Sequence, residues 1–268
     1  MTNEFPQVVT IAGTDSDGSA GVPADLISFF ATGVHGMAIL TAAVAGNSYG
    51  IHQAHHVPVG FINNQFDALA SDFHIKAAKT GMLTDATVIH TVVENLKKVD
   101  FGYLVVDPVI STKHGAMLLE LDAVDFLKRE LIPIADVITP NFYEAEILAD
   151  CKIMTASNQI AAARRIQQLG AKNVLIKGAH AVGSDQVEVK DYVLLEDGTG
   201  LWLSGTYVDT EHINGTGDTL SAIITAELAK GATVLAAIQR AKELTLAAIQ
   251  NEIAVGHKFG PINHWELL

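Results

Sequence analysis

Cysteine is almost absent. Cys151 stands alone in 268 residues, so no intrachain disulfide can form, and a reducing compartment is expected. Prolines number 7 and aromatic residues make up 6% of the chain, with no low-complexity stretch. No apolar run reaches the roughly 18 residues that a membrane-spanning helix needs. The opening residues, MTNEFPQVVTIAG, place no basic stretch ahead of an apolar one, so no export signal and a cytoplasmic location are expected. Positive charge is scarce as well: 17 Lys and Arg against 30 Asp and Glu leave a net charge of −13. That field repels nucleic-acid phosphates and anionic membranes. The basic residues come only singly or in pairs, as at Lys97-Lys98 and Arg164-Arg165. Neither partner is expected. A small anionic substrate stays open, because a local anion site needs only a few donors.

What is present is apolar. Hydrophobic residues make up 49% of the chain and charged ones 18%, which excludes disorder and allows a large core. Glycine and proline are scattered at turn positions with no linker or repeat, so residues 1–268 read as a single domain. Strands are expected at residues 8–12, 39–44, 77–80, 103–106, 137–139 and 174–177. Their apolar residues are consecutive rather than alternating, as in strands covered on both faces. Helical patterns occupy 85–98, 123–131, 142–149 and 157–169. A hairpin is expected where 192–195 and 201–203 flank a Glu-Asp-Gly-Thr-Gly turn. Beyond it the chain is helical: Leu220, Ile223, Ile224 and Leu228 share one face, and Leu235, Ile238 and Leu246 continue the pattern. The fold class is therefore α/β, with three layers (α/β/α) around a central, mostly parallel sheet. Ligands of such sheets sit outside the carboxyl ends of the strands.

The most informative stretch is Asn214-Gly215-Thr216-Gly217-Asp218-Thr219-Leu220-Ser221, directly ahead of an apolar helix. Two glycines let backbone N–H groups converge, and the helix adds its free N-terminal N–H groups and positive dipole end. That combination suits charge developing on a transferring phosphoryl group. Asp218 stands where a carboxylate can take a proton from an alcohol, although Asp also caps helices. Upstream, Gly13-Thr14-Asp15-Ser16-Asp17-Gly18-Ser19-Ala20-Gly21 follows the first strand. Its glycine spacing fits neither the dinucleotide fingerprint nor a Walker A loop; an Asp-bearing substrate loop and an ordinary β-α turn both remain open. Three further strand ends are polar: Asp107-Pro108-Val109, the run from Thr139 to Glu144, and Lys177-Gly178-Ala179-His180. Asp107 and Glu144 suit Mg²⁺ held through water, and Lys177 suits nucleotide phosphate. Each also has a structural reading, with Asn141 as a simple cap for the helix carrying Glu144. His52, His55 and His56 lack a standard metal spacing and read as a solvated loop. Cys151 reads as structural, and 256–261 as turn chemistry beside a pocket.

Taken in order, these motifs resemble the ribokinase-like vitamin kinases. The residues that carry the resemblance are the Gly13–Gly21 loop with Ala24-Asp25-Leu26, Lys79-Thr80-Gly81-Met82-Leu83, Asp107-Pro108-Val109, Thr139-Pro140-Asn141 with Glu144-Ala145, Lys177-Gly178 with His180, and Gly215-Thr216-Gly217. Nearest is the branch containing hydroxymethylpyrimidine (phosphate) kinases and bacterial pyridoxal kinases. The resemblance implies a ribokinase-like fold and transfer of the ATP γ-phosphate to a hydroxymethyl group on a heteroaromatic ring. It implies Asp218 as the base and Gly215, Thr216 and Gly217 as the anion hole. Gly13, Asp15, Gly46, Lys79, Gly81 and Met82 would surround the ring. Asn141 and Lys177 would meet nucleotide phosphates, with Asp107 and Glu144 at Mg²⁺. Val208, Thr210, Lys242 and Thr245 are the candidates for the nucleoside. A homodimer is expected from the family, a monovalent-cation requirement is left open, and lid motion is expected around 178–185.

Two departures bear on the substrate. The pyrimidine kinases of this branch typically end the anion-hole motif in Gly-Thr-Gly-Cys, where this chain has Asp218. They also commonly carry a glutamine that reads the aminopyrimidine edge, where this chain has Gly46 within Ala45-Gly46-Asn47-Ser48. A pocket without that partner cannot favour the aminopyrimidine through it. Both differences point to the 5′-hydroxymethyl group of pyridoxal, with hydroxymethylpyrimidine as the alternative. A sugar kinase is disfavoured, because its added β-lid needs more sequence near the N-terminus than this chain offers. A non-catalytic vitamin or nucleotide sensor has no need of Asp218.

Overall fold

A sheet of nine strands runs through the computed structural model, which describes residues 4–110, 119–120, 122–178 and 187–268. The strands are β1 (Gln7–Asp15), β2 (His35–Asn47), β3 (Gly50–His56), β4 (Ile75–Thr80), β5 (Tyr103–Val106), β6 (Val137–Ile138), β7 (Asn173–Ile176), β8 (Glu188–Leu194) and β9 (Gly200–Thr206). They lie in the order β3-β2-β1-β4-β5-β6-β7-β8-β9. The six strands from β2 to β7 in that order are parallel. β3 closes one edge antiparallel, and β8 and β9 close the other. The helices are α1 (Gly21–Ala31), α2 (Val59–Ala70), α3 (Ala86–Leu96), α4 (Ala123–Phe126, continued by a π turn at Leu127–Leu131), α5 (Phe142–Ala149), α6 (Ala156–Gln168), α7 (Thr216–Ala229) and α8 (Val234–Gln250).

The helices form the outer layers. On one side α1, α7 and α8 pack together, with α7 lying on β1, β4 and β5. On the other, α2 to α6 cover the opposite face. The apolar runs of the strands feed both cores. Val9, Ile11, Leu104, Val106 and Ile138 enter the α2–α6 side, while Val105, Val137, Leu175 and Val193 meet α7 and α8. Helix starts follow local chemistry: Asp85, Thr155 and Thr233 each accept a backbone N–H at the beginning of α3, α6 and α8. Asn141 and Glu144 form a reciprocal capping box on α5.

Two elements depart from the sequence expectation. The segment with His52, His55 and His56 is not a loop but strand β3, exposed along its whole length. Its partner β2 runs to 13 residues, so the N-terminal third does have room for an added hairpin beyond the parallel sheet. A solvent-facing edge strand with no apolar alternation carries little sequence signal, which is why neither feature was expected. Position 8–12 likewise extends into the longer β1.

The chain leaves β1 for β2 on one side and β4 for β5 on the other. The loops after β1 and β4 therefore part and open a crevice at the carboxyl ends of the strands. The far core anchors this arrangement. Phe66 of α2 is fully buried and stacks on Phe101, with ring centroids 5.9 Å apart. Phe66→Ala is expected to cost about 3–5 kcal/mol of stability through the lost burial and the cavity left behind. Urea unfolding of the two proteins checks this; a shift of under about 1 kcal/mol would mean the core collapses around the gap.

Candidate active site

A cavity of about 660 Å³ lies across the carboxyl ends of the parallel strands. Its centre is the start of α7. Gly215 is the cap residue, in the left-handed region at φ 80°. A Cβ there would run into the backbone oxygen of Ser19, so the turn needs glycine and packs against the first β-α loop. Gly217 faces the charged centre: a Cβ built on it comes 3.3 Å from Asp107 Oδ2 and 3.4 Å from Lys177 Nζ. Among the described residues, the Asp218 side chain, on the third residue of α7, has one polar contact, with Lys79 Nζ at 3.9 Å, and no hydrogen bond to its own helix start. The simple capping alternative for Asp218 therefore fails, and its carboxylate, 19% exposed, faces the cavity.

Around this start the strand ends supply charge. Lys177 Nζ donates to Asp107 Oδ1 at 3.1 Å, and Thr139 Oγ1 donates to the same oxygen at 3.3 Å. Glu144 is buried; its Oε2 accepts from the Asn141 N–H at 2.8 Å and its Oε1 from the Ile110 N–H at 3.3 Å. Burial, with Asp107 beside it, pushes the Glu144 carboxyl up to about 7 against the pull of Lys177. Burial alone would lower the Lys177 ammonium, but Asp107 and Glu144 raise it, so it stays charged. The structural reading of Asn141 holds in that it caps α5, and it also lines the cavity.

Strand order sets the two ends of the cavity apart. Toward the β3 edge stand Asp15, Gly46, Ser48, Tyr49 and Ile51, with Lys258 and Phe259 of the closing segment. The Phe259 N–H donates to Ser48 O at 2.9 Å, which joins that segment to the β2–β3 turn. Burial, then the neighbouring Asp17 and Asp218, push the Asp15 carboxyl up to about 6. Its Oδ1 is buried and has no hydrogen-bond partner among the described residues. Toward the β9 edge stand Val189, Gly205, Val208, Thr245 and Ile249, with Lys242 donating to Asp191 Oδ2 at 2.6 Å. The Thr245 hydroxyl is also buried and unpartnered among the described residues.

Of the residues singled out in the sequence, Asp218, Gly215, Thr216, Gly217, Asp15, Gly46, Asn141, Lys177, Val208, Lys242, Thr245, Asp107 and Glu144 all line this cavity. Five do not. Gly13 packs on the Met82 side chain, and Met82 O accepts from Thr41 Oγ1. Gly81 lies against Ala12, and Thr210 is buried beside the His212 backbone. Lys79 is completely buried and ion-paired to Asp25 at 2.6 Å. These five support the walls rather than face the cavity. Sequence reasoning missed Asp191, whereas Phe259 falls in the 256–261 segment read as turn chemistry beside a pocket, and it does line the cavity. β8 carries Glu188, Lys190 and Asp191, and packing rather than any local pattern decides that Asp191 is the buried one of the three. Cys151 is partly buried against the core, as its structural reading requires. His180 and most of the 178–185 segment lie outside the described residues.

A family model described as phosphomethylpyrimidine kinase matches residues 15–263. The chain belongs to that family. It is 44% identical to the hydroxymethylpyrimidine/phosphomethylpyrimidine kinase of Haemophilus influenzae, over 97% of this chain and 96% of that protein. The ADP complex of Bacillus subtilis pyridoxal kinase superposes with a TM-score of 0.89 at 34% identity, covering 98% of this chain and 99% of that one. The pyridoxal kinase of Staphylococcus aureus, solved with AMP-PCP and pyridoxal, gives 0.88 at 31% identity, covering 98% and 94%. The fold is thus that of the pyridoxal kinases, and the chain is a kinase of this family acting on a small molecule. No helix among the described residues is long and apolar enough to cross a membrane.

The raised Asp15 has a consequence for stability. Between pH 3.8 and about 6 the folded kinase holds a proton on Asp15 that the unfolded chain has released. Stability from this group is therefore full below that window and falls as pH rises through it. Asp15→Asn removes the slope, so the variant gains Tm relative to the parent as pH goes from 4 to 6. Thermal melts across that range read it directly; a constant Tm difference would rule it out.

Proposed function

We propose that this kinase transfers the γ-phosphoryl group of ATP to the 5′-hydroxymethyl group of pyridoxal. One observation carries the chemistry: Asp218, with no hydrogen bond to its own helix start among the described residues, lines the cavity together with the Gly215–Gly217 turn. A ring held at the Asp15–Gly46 end would bring its hydroxyl to Asp218, and a nucleotide at the Val208–Thr245 end would bring its phosphates to the same amides. Asp218 then accepts the hydroxyl proton as the oxygen attacks in line. The Gly217 amide and the Lys177 ammonium meet the charge that spreads over the transferring group.

The residues present fit Mg²⁺. Asp107, Glu144 and Asp218 line the cavity near Lys177, which is paired to Asp107, while Lys79 beneath the floor is already paired to Asp25, so carboxylates outnumber uncommitted ammonium groups there. Asp107 and Glu144 would hold the ion through water, and it would supply charge neutralisation between the phosphates. Asp218→Asn is expected to lower kcat by about 10²-fold or more, the usual scale of a general base. ADP binding should stay near the parental value in calorimetry. Parental turnover in this variant would remove Asp218 from the mechanism.

Gly46 supports pyridoxal over the aminopyrimidine. A Cβ there would lie 3.1 Å from Gly50 O and 3.5 Å from Asp15 Oδ1, so a side chain at this position would press on the β2–β3 turn and stand beside the Asp15 carboxylate of the ring subsite. Hydroxymethylpyrimidine is the second reading, favoured by the 44% identity to a kinase named for that substrate. Purified enzyme assayed with each ring separates them, with a higher kcat/KM for pyridoxal expected. Gly46→Gln should then move the kcat/KM ratio toward hydroxymethylpyrimidine by about 10-fold or more, by adding an amide partner for its polar edge. A ratio unmoved by the glutamine would mean that position 46 does not read the ring.

A further inference from the structure

Beneath the cavity floor lies a charged pair that the transfer chemistry does not touch. Lys79 of β4 and Asp25 of α1 have completely buried side chains and meet at 2.6 Å. Thr10 of β1 donates to the other Asp25 oxygen, also at 2.6 Å. Neither Lys79 nor Asp25 lines the cavity. Apolar residues of the same volume serve stability as well as such a pair does or better, so stability alone does not account for it. Among the described residues, the ammonium's other ion-pair contact is Asp218 Oδ1 at 3.9 Å, with the charge of Asp107 acting on it as well.

That neighbour occupies a telling position. As the third residue of α7, Asp218 stands where a carboxylate ordinarily folds back onto the N–H groups of its own helix start. Among the described residues no such bond forms, and the carboxylate's one polar contact is with Lys79. If it did, base and anion hole would cancel each other, because the carboxylate would occupy the amides meant for phosphate. Ala12 and Gly81 close the space near Lys79: a Cβ on Gly81 would lie 3.9 Å from Nζ and 3.0 Å from Ala12 Cβ.

We infer that Asp25 and Lys79 are a positioning pair for Asp218. Asp25 and Thr10 fix the ammonium, and the ammonium holds the carboxylate off its own helix start, leaving the amides to phosphate and the carboxylate to the hydroxyl. This rests on the reading of Asp218 as the base, and the role assigned to Lys79 is that of a support beneath the site.

The test replaces both partners at once. Lys79→Met with Asp25→Asn leaves neither charge buried alone, which protects the fold. The paired variant should lose about 10²-fold in kcat, the scale of a small misplacement of a reacting group, with little change in KM for ATP or in ADP binding. In an Asp218→Asn background the same pair of changes should cost almost nothing more, because the support then has no base to hold. Parental kcat in the paired variant overturns the inference. So does an equal fold-loss in both backgrounds, which is the signature of a structural role. Should the paired variant fail to fold, Asp25→Asn alone is read in both backgrounds by the same criteria. Full turnover in Asp218→Asn by itself sinks the base assignment first, and this inference with it.

Discussion

Everything at the site depends on helix α7 being buried on nearly every side while its first turn opens into the cavity. From Thr219 to Ala226 each residue is buried between the sheet, α1 and α8. A helix so enclosed cannot shift without opening two cores. Its start is pinned by close approaches from distant parts of the chain. The Gly215 backbone sits against Ser19 of the first β-α loop, and the Asn214 N–H donates to Gly260 O at 3.1 Å. Thr219 shares a 2.8 Å hydrogen bond with His264, whose imidazole burial keeps neutral. The proposed anion hole is therefore built where the beginning and end of the sequence meet. Its amides are oriented before any ligand arrives, which is what electrostatic preorganisation requires.

The charge arrangement answers a question the composition poses. A chain with a net charge of −13 repels polyanions at long range, yet this site suits phosphates. The resolution is local. Backbone N–H groups and a helix dipole carry no formal charge, and they act over the short distances where a buried environment screens least. Two lysines, Lys79 and Lys177, are each committed to carboxylates, so neither is a loose counter-ion. Excess carboxylate at the centre leaves a demand for a cation, which fits a substrate delivered with Mg²⁺.

Much of this was legible in the sequence because it depends on local rules. Parallel strands buried on both faces announce themselves as consecutive apolar runs, and residues 103–106 coincide with β5. The glycine pair before Asp218 marks an open helix start, since glycine alone tolerates φ 80° there. What stayed hidden depends on tertiary position. β3 is a solvent-facing edge strand, held by pairing to β2 rather than by any pattern of its own. Lys79 ends an apolar strand as a polar residue would beside a ligand, and only packing decides that it points under the floor toward Asp25. The 256–261 segment reads as a turn beside a pocket, but the tie from Phe259 to Ser48 that brings it there spans more than 200 positions and is set by tertiary position.

The two halves of the site also differ in how firmly they are built. The reacting centre is set in the parallel sheet and α7, where a change of one methylene is felt in two cores. The ring end is assembled from the β2–β3 turn and the closing segment, where Tyr49 is 60% exposed and Ile51 45% exposed. These join through Ser48, whose Oγ accepts from the His257 N–H at 3.1 Å. Substitutions there disturb little of the core, so the residues that read the substrate can change while the phosphoryl-transfer apparatus stays intact. Gly46 lies at that boundary: its chain neighbours belong to the adaptable hairpin, and the carboxylate of Asp15 beside it belongs to the strand that leads into the fixed centre. On the proposed reading, substrate choice is therefore a property of the sheet edge, and the chemistry a property of its middle.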